Sequence, residues 1–464
     1  MVSHKLSLSY RSSSITRKRS PRHIGLFLHS RNSGRRLHVE AVVTSIDQNC
    51  DYYTKLLYPS RQYSAMSTMD ADDFPTPEES VDTIAPEELR RRIGDDESVT
   101  VLDARASGDF EEWHIEGEAV EIENVPYFEF LDGIDEELLE TVPTGDPLVV
   151  LCAKGGASEY VAGTLAEEDR DVVHLEDGMN GWASIYESVE VEGYDGPGTV
   201  LQYQRPSSGC LGYMVYDDDE AAVIDPLQAF TDRYLDDAAE LGVELTYAFD
   251  THIHADHVSG VRALDGEGVT GVIPEEAADR GVTYADELET AADGDTFAVG
   301  DVTIETLYTP GHTTGMTSYL VDESFLATGD GLFVESVARP DLEEGDDGAP
   351  DAARQLYETL QERILELPDD VIVGGGHTSD AAEPAADGSY TAPLGDLREE
   401  MDALTYDEQA FVETVLEDMP PRPANYEEII ATNLGQRDTD EDEAFTLELG
   451  PNNCAASQGS MTGD

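Results

Sequence analysis

The chain has 464 residues, 39% of them hydrophobic, and sets 27 lysines and arginines against 100 aspartates and glutamates, a formal net charge of −73. That length exceeds what one hydrophobic core supports, so two or more domains are expected. A phosphate backbone needs a basic face, which argues against nucleic-acid binding, and no apolar run approaches the ~18 residues of a membrane-spanning helix.

Self-repulsion on this scale destabilises a compact state at low ionic strength, but molar salt shortens the Debye length to about 3 Å and screens it. The composition therefore implies a halophilic, high-salt cytoplasmic setting. Cys50, Cys152, Cys210 and Cys454 show no paired spacing, so no disulfide framework is expected and a reducing cytoplasm is the default. Cys210 reads as a buried small hydrophobe.

Residues 1–65 hold 11 basic residues and three acids. Their Ser- and Arg-rich composition is that of a transit peptide or of an upstream stretch translated from a misplaced start. The abrupt change at Met66 to Met69, just before Asp70-Ala71-Asp72-Asp73, favours the misplaced start. Residues 1–83 are set aside as a disordered leader and linker.

From 84 to 191 helix and strand alternate: a helix near Pro86 to Ile93, strands Val99 to Asp103 and Pro147 to Cys152, then a helix Glu159 to Glu168. This is the pattern of a small parallel α/β domain. Cys152 ends its apolar strand and opens Cys152-Ala153-Lys154-Gly155-Gly156-Ala157-Ser158, where a thiolate would face backbone N–H groups and a helix N-terminus. Lys154 is the only lysine beyond residue 65.

That loop, with Leu102-Asp103-Ala104-Arg105, His114-Ile115-Glu116-Gly117 and Gly178-Met179-Asn180-Gly181-Trp182, resembles a rhodanese domain. Glu116 and Glu118 depart from the family's usual Pro and Ala, and the loop lacks its arginine, for which Lys154 is the available substitute. The resemblance implies that Cys152 carries a persulfide and transfers sulfane sulfur.

A glycine-rich joint, Gly193 to Gly198, follows. Beyond it come short strands (Thr199 to Gln204, Gly212 to Tyr216, Ala221 to Ile224), a helix Thr231 to Leu241 and a strand Leu245 to Phe249, suggesting a two-sheet sandwich covered by helices over 198–395. The last strand runs into Thr251-His252-Ile253-His254-Ala255-Asp256-His257. Imidazoles and a carboxylate crowded at one strand end suit zinc or iron.

Of seven histidines beyond residue 65, five fit one pattern: His312 in Thr309-Pro310-Gly311-His312-Thr313 and His377 in Gly374-Gly375-Gly376-His377 join the first three. Asp330 lies in Thr328-Gly329-Asp330-Gly331. Each follows an apolar β-like run (Val302 to Leu307, Ser318 to Leu326, Val371 to Val373), and the glycines allow sharp turns at the strand ends. Residues 396–450 read as a helical extension and 451–464 as a polar tail.

The order His-x-His-x-Asp-His, His, Asp, His resembles the metallo-β-lactamase superfamily and implies an αββα fold. One metal site would draw on His252, His254, His312 and Asp330; a second on Asp256, His257, Asp330 and His377. Asp256 would be the general base. Two branches are implied. Persulfide dioxygenases bind one Fe(II) through the positions of His252, His312 and Asp330 and oxidise a low-molecular-weight thiol persulfide with O₂ to sulfite. Glyoxalase II-like thioester hydrolases use two zinc ions.

Ser336-Val337-Ala338-Arg339-Pro340-Asp341-Leu342 resembles the dioxygenases' Gly-Arg-x-Asp segment, with Ala338 for glycine. Arg339 would pin a substrate carboxylate or pair with Asp341. Pro420-Pro421-Arg422-Pro423-Ala424-Asn425-Tyr426 and Ala431-Thr432-Asn433-Leu434 are similar to the dioxygenases' tail, while the lysine expected of glyoxalase II is absent there. A rhodanese shares persulfide, thiosulfate and sulfite with a dioxygenase and no intermediate with a thioester hydrolase. The expectation is therefore a cytoplasmic rhodanese–persulfide dioxygenase. The dinuclear zinc hydrolase, with a rhodanese domain that only docks or senses sulfur, remains the alternative, and homo-oligomerisation is left open.

Overall fold

The computed structural model describes residues 29–33, 36–40 and 80–461, apart from 132, 279, 380, 418, 451, 453 and 457–460. Within the stretch expected to be disordered, β1 (His29–Ser33) and β2 (Arg36–Glu40) pair as an antiparallel hairpin in a unit of its own. The rest of that leader lies outside the described residues.

In the second unit, β3 (Asp82–Ile84), β4 (Val99–Asp103), β5 (Val120–Asn124), β6 (Leu148–Leu151) and β7 (Val172–Leu175) form an all-parallel sheet in the order β3-β7-β6-β4-β5. Alternating side chains serve two cores. Val99, Val101, Val149 and Leu151 pack on one face and Leu102, Leu148 and Val150 on the other, as a parallel sheet covered on both sides requires. The helix after β6 begins at Gly156, earlier than expected, so Ser158 lies in its first turn.

β8 (Glu187–Glu190) and β9 (Thr199–Arg205) pair antiparallel. The glycine-rich stretch read as a joint is therefore the turn of a hairpin, with Gly193 and Gly198 at positive φ; a flexible linker and such a turn use the same residues. With β10 (Cys210–Asp217), β11 (Glu220–Ile224), β12 (Glu244–Phe249), β13 (Thr270–Pro274) and β14 (Glu289–Ala291), they make a seven-stranded sheet running in order from β14 to β8. A second sheet runs from β15 (Thr296–Val299) through β16 (Val302–Tyr308), β17 (Thr317–Val321), β18 (Phe325–Gly329) and β19 (Ile372–Gly375) to β20 (Thr391–Pro393). The run Ser318 to Leu326 is two strands, reversed at Asp322 and Glu323, both at positive φ.

Period-two alternation builds the layers. Ala222 and Ile224 of β11 and Phe325 and Ala327 of β18 enter the core between the sheets. Ala221 and Val223 face outward to Tyr234, Ala238 and Leu264 on helices, and Leu326 faces Ala353, Leu356 and Leu397 on the other side. The result is the expected αββα sandwich. Helices Leu394–Glu400, Glu408–Glu417, Tyr426–Asn433 and Glu441–Leu447 follow. The polar tail is not free along its described part: Cys454, Ala455 and Ala456 are buried, and Ala455 bridges Ala338.

Candidate metal centre and the Cys152 loop

The loop after β12, the turn after β16, the end of β18 and the end of β19 bring His252, His312, Asp330 and His377 together. Asp330 Oδ2 lies 3.7 Å from His252 Nε2 and 3.6 Å from His312 Nε2. All three atoms are buried without a hydrogen-bond partner, a state that normally costs kilocalories per group. The far side of each ring explains the orientation. Thr251 gives its hydroxyl hydrogen to Asp225 (2.8 Å), so at 2.9 Å it can only accept from His252 Nδ1. His312 Nδ1 lies 2.9 Å from the Arg339 carbonyl, which also only accepts. Both Nε2 atoms therefore carry lone pairs. Burial holds both imidazoles below their ordinary pKa, His252 with help from His254, so both are neutral ligands in waiting.

Backbone at these ends must be glycine. A Cβ on Gly329, at φ +51°, would stand 2.3 Å from Thr251 Oγ1, and one on Gly376 would stand 2.6 Å from Asp330 Oδ1. Asp330 divides its oxygens, since Oδ1 pairs with His377 Nδ1 at 3.1 Å. Burial works to raise its pKa, but His377, His252 and His312 hold the carboxylate well below its usual range.

Asp256 Oδ2 is the focus of a second cluster, with His257 Nδ1 at 2.8 Å, His377 Nε2 at 3.1 Å and Cys210 Sγ at 3.3 Å. His254 turns its Nε2 to Asp225 (3.1 Å) and Asp250 (3.6 Å). Burial and His257 oppose its protonation, but these carboxylates raise its pKa to about 9. Arg339 is 1% exposed, paired with Asp341 and donating to the Pro420 and Pro421 carbonyls. Of the two roles expected for Arg339, the pairing with Asp341 is the one observed.

Sequence reasoning missed Asp225, Asn433, Cys210 and Cys454. Asp225 directly follows β11, a carboxylate at the end of an apolar run, and clamps Thr251 and His254; that position was the available signal. Asn433, noted only as part of a tail pattern, donates to the His254 and His257 carbonyls and accepts from Ser259 N. Cys454, with Asp330 and His377, forms another ligand-like cluster.

In the parallel domain, the Cys152 thiol lies 3.4 Å from Ser158 Oγ. The loop is locked from behind, where Met179 N and Asn180 N donate to the Cys152 and Ala153 carbonyls. Lys154 is exposed.

Residues 207–377 match the sequence profile of the Metallo-beta-lactamase superfamily, and residues 85–185 that of the Rhodanese-like domain. The human mitochondrial persulfide dioxygenase ETHE1 is 31% identical over 190 residues, 40% of this chain and 70% of that protein. A hydroxyacylglutathione hydrolase from Synechococcus sp. (strain JA-3-3Ab) is 39% identical over 156 residues, 32% of this chain and 60% of the relative. The crystal structure of ETHE1 from Myxococcus xanthus is 28% identical, with a TM-score of 0.44 over 51% of this chain and 98% of that one. On the profile matches and the human relative, the chain belongs to the metallo-β-lactamase superfamily as a persulfide dioxygenase-like metalloenzyme with a rhodanese-like domain in front.

Proposed function

We propose that the chain is a persulfide dioxygenase, with one Fe(II) held by His252, His312 and Asp330, working beside a rhodanese domain whose Cys152 carries sulfane sulfur. The observation that carries this reading is the trio of buried, unpartnered atoms, His252 Nε2, His312 Nε2 and Asp330 Oδ2. Two neutral imidazoles and a carboxylate make the facial set of non-haem iron oxygenases. Asp330 Oδ1 is tied to His377, which disfavours a carboxylate bridge between two zinc ions.

Bound iron would supply adjacent positions for O₂ and the persulfide sulfur and the electron exchange between them. The net change balances as R–S–SH + O₂ + H₂O → RSH + SO₃²⁻ + 2H⁺. The protein's residues orient and neutralise. Thr251 and Asp225 fix His252, and the Arg339 carbonyl fixes His312 while the Arg339 side chain anchors that segment to Pro420 and Pro421. Asp256 stays ionised; burial acts against this, but His257 and His377 outweigh it. Its partnerless Oδ1 is the acceptor for the persulfide proton.

The acidity of the chain supports a high-salt cytoplasmic setting, so assays belong in molar salt. Anaerobically purified protein should contain one iron per chain and consume O₂ in step with sulfite formed from a low-molecular-weight persulfide. Two zinc ions, thioester hydrolysis and no O₂ uptake would establish the hydrolase instead. Cys152→Ser should abolish thiosulfate sulfurtransferase activity and leave O₂ uptake intact; retained transferase activity would remove Cys152 from its role.

A further inference from the structure

Arg339, the arginine that the sequence offers for a substrate carboxylate, is spent on Asp341 and on the Pro420 and Pro421 carbonyls. In the C-terminal extension Arg422 is paired with Asp341 and Asp346, and Arg437 with Glu428 and Glu443. Arg280 is less fully engaged. Its Nε lies 3.1 Å from Glu343 Oε1, and its Nη1 makes one long hydrogen bond, 3.5 Å, to the Ile253 carbonyl. A guanidinium carries five N–H donors in a fixed fork, so most of those on Arg280 are unused.

Its place is the rim of the triad. Ile253 stands between His252 and His254, and Glu343 ties Arg280 to the turn that carries His312. Glu343 Oε2 accepts from Thr314 N at 2.6 Å and Oε1 from Thr314 Oγ1 at 2.7 Å, so both of its oxygens are occupied without the rest of the fork. Tyr308 Oη donates to the Thr314 carbonyl at 2.9 Å, and a Cβ on Gly315 would stand 2.7 Å from Ala277 Cα. The short helix Glu275–Ala278 that leads to Arg280 therefore packs directly on the His312 turn. Burial is the first cause of the low His312 pKa; Asp330 opposes it, and the Arg280 charge is near enough to add to the lowering. Only 9% of the Arg280 side chain is exposed, so molar salt screens it much less than a surface ion.

We propose that Arg280 is the specificity-determining residue of the metal centre, its free N–H groups receiving a carboxylate on the thiol that carries the persulfide. Paired hydrogen bonds from the fork fix that carboxylate at the rim and leave the sulfane sulfur to meet the triad. Arg280 thus takes the role that Arg339, saturated by its own segment, does not fill. The inference rests on the dioxygenase reading for the persulfide, whereas binding of the carboxylate needs no turnover.

Two thiols of similar size separate the charge from the sulfur: 3-mercaptopropionate carries a carboxylate and 2-mercaptoethanol a hydroxyl. In calorimetric titration of the anaerobic full-length protein in molar salt, the first should bind about 10–100-fold more tightly. Arg280→Met keeps most of the stem and loses the fork, so it should abolish that difference, and Arg280→Lys should recover part of it. In O₂ uptake by iron-loaded protein, Arg280→Met should raise KM for the persulfide of 3-mercaptopropionate by the same factor, with kcat and the KM for the persulfide of 2-mercaptoethanol held within about twofold. Should Arg280→Met fail to fold, wild type decides: 3-mercaptopropionate, and not 2-mercaptoethanol, should slow modification of Arg280 by phenylglyoxal, read by peptide mass. Equal affinity of wild type for the two thiols, an equal loss of both in Arg280→Met, or modification that neither thiol slows overturns the proposal. Absence of O₂ uptake by iron-loaded wild type would instead remove the dioxygenase reading and leave the calorimetric result standing.

Discussion

Asn433→Ala tests whether the C-terminal extension is part of the metal centre. Asn433 is buried at the end of helix Tyr426–Asn433, where Nδ2 donates to the His254 carbonyl at 2.9 Å and the His257 carbonyl at 2.8 Å. Its Oδ1 accepts from Ser259 N at 2.9 Å. Alanine removes three bonds and strands two carbonyls and one amide inside the protein. Each net bond contributes about 1 kcal/mol and each stranded group costs about 1–3 kcal/mol; because the losses overlap, the expected total is about 3–5 kcal/mol. At roughly 2–4 °C per kcal/mol for a domain of this class, the apparent Tm should fall by roughly 6–20 °C. The slackened loop should also weaken metal binding about 10–100-fold, as loss of an outer support usually does. Asn433→Asp should do no better, since it keeps the acceptor for Ser259 but turns a carboxylate oxygen towards two carbonyls. Thermal unfolding and a chelator competition in molar salt read both effects. A variant within about 1 kcal/mol and twofold in metal affinity of wild type would refute the clamp.

Thr251→Val removes the hydroxyl that passes the Asp225 contact to His252 Nδ1; the triad ion should bind about 10–100-fold more weakly, with little change in volume. Asp341→Asn leaves Arg339 buried without its carboxylate and should cost about 3–5 kcal/mol at neutral pH. Burial pushes the Asp341 pKa up, but Arg339 and Arg422 hold it below the usual value. A depressed carboxylate stabilises fully above its unfolded pKa and loses that contribution as pH falls through the folded one. The gap between wild type and variant should therefore narrow below about pH 4; a gap independent of pH would show that packing dominates. Glu448→Gln breaks the buried pair with Arg205, which also donates to Ala183 O, while Glu448 accepts from Val258 N beside His257. Denaturant unfolding should show a loss of about 3–5 kcal/mol, and an unchanged midpoint would count against that strut.

The elements themselves were largely legible because their signals are local. Helix Thr231–Leu241 and strand Val99–Asp103 have the bounds that periodicity and flanking residues imply. The reading faltered where one local pattern serves two structures. Ser318 to Leu326 carries two strands, because Asp322 and Glu323 turn the chain without the glycine or asparagine that usually marks such a reversal.

The site divides along the same line. His252, His312, Asp330 and His377 could be found because each follows an apolar run, His252 within a cluster of histidines and the other three beside glycine, a signature written within a few residues. Cys210 and Asn433 carry no such mark. Cys210 lies 46 positions before Asp256, and Asn433 lies 176 positions beyond His257; what they do follows only from where β10 and the last helices fold back. Residues 451–464, Asn452 among them, read from the sequence only as a polar tail. In the structure that polarity is used inside, where Asn452 donates to Cys210 and Asp256 and Arg339 N donates to the Cys454 carbonyl. A polar segment is exposed by default only while no buried acceptor awaits it, and a metal centre rich in carboxylates supplies such acceptors.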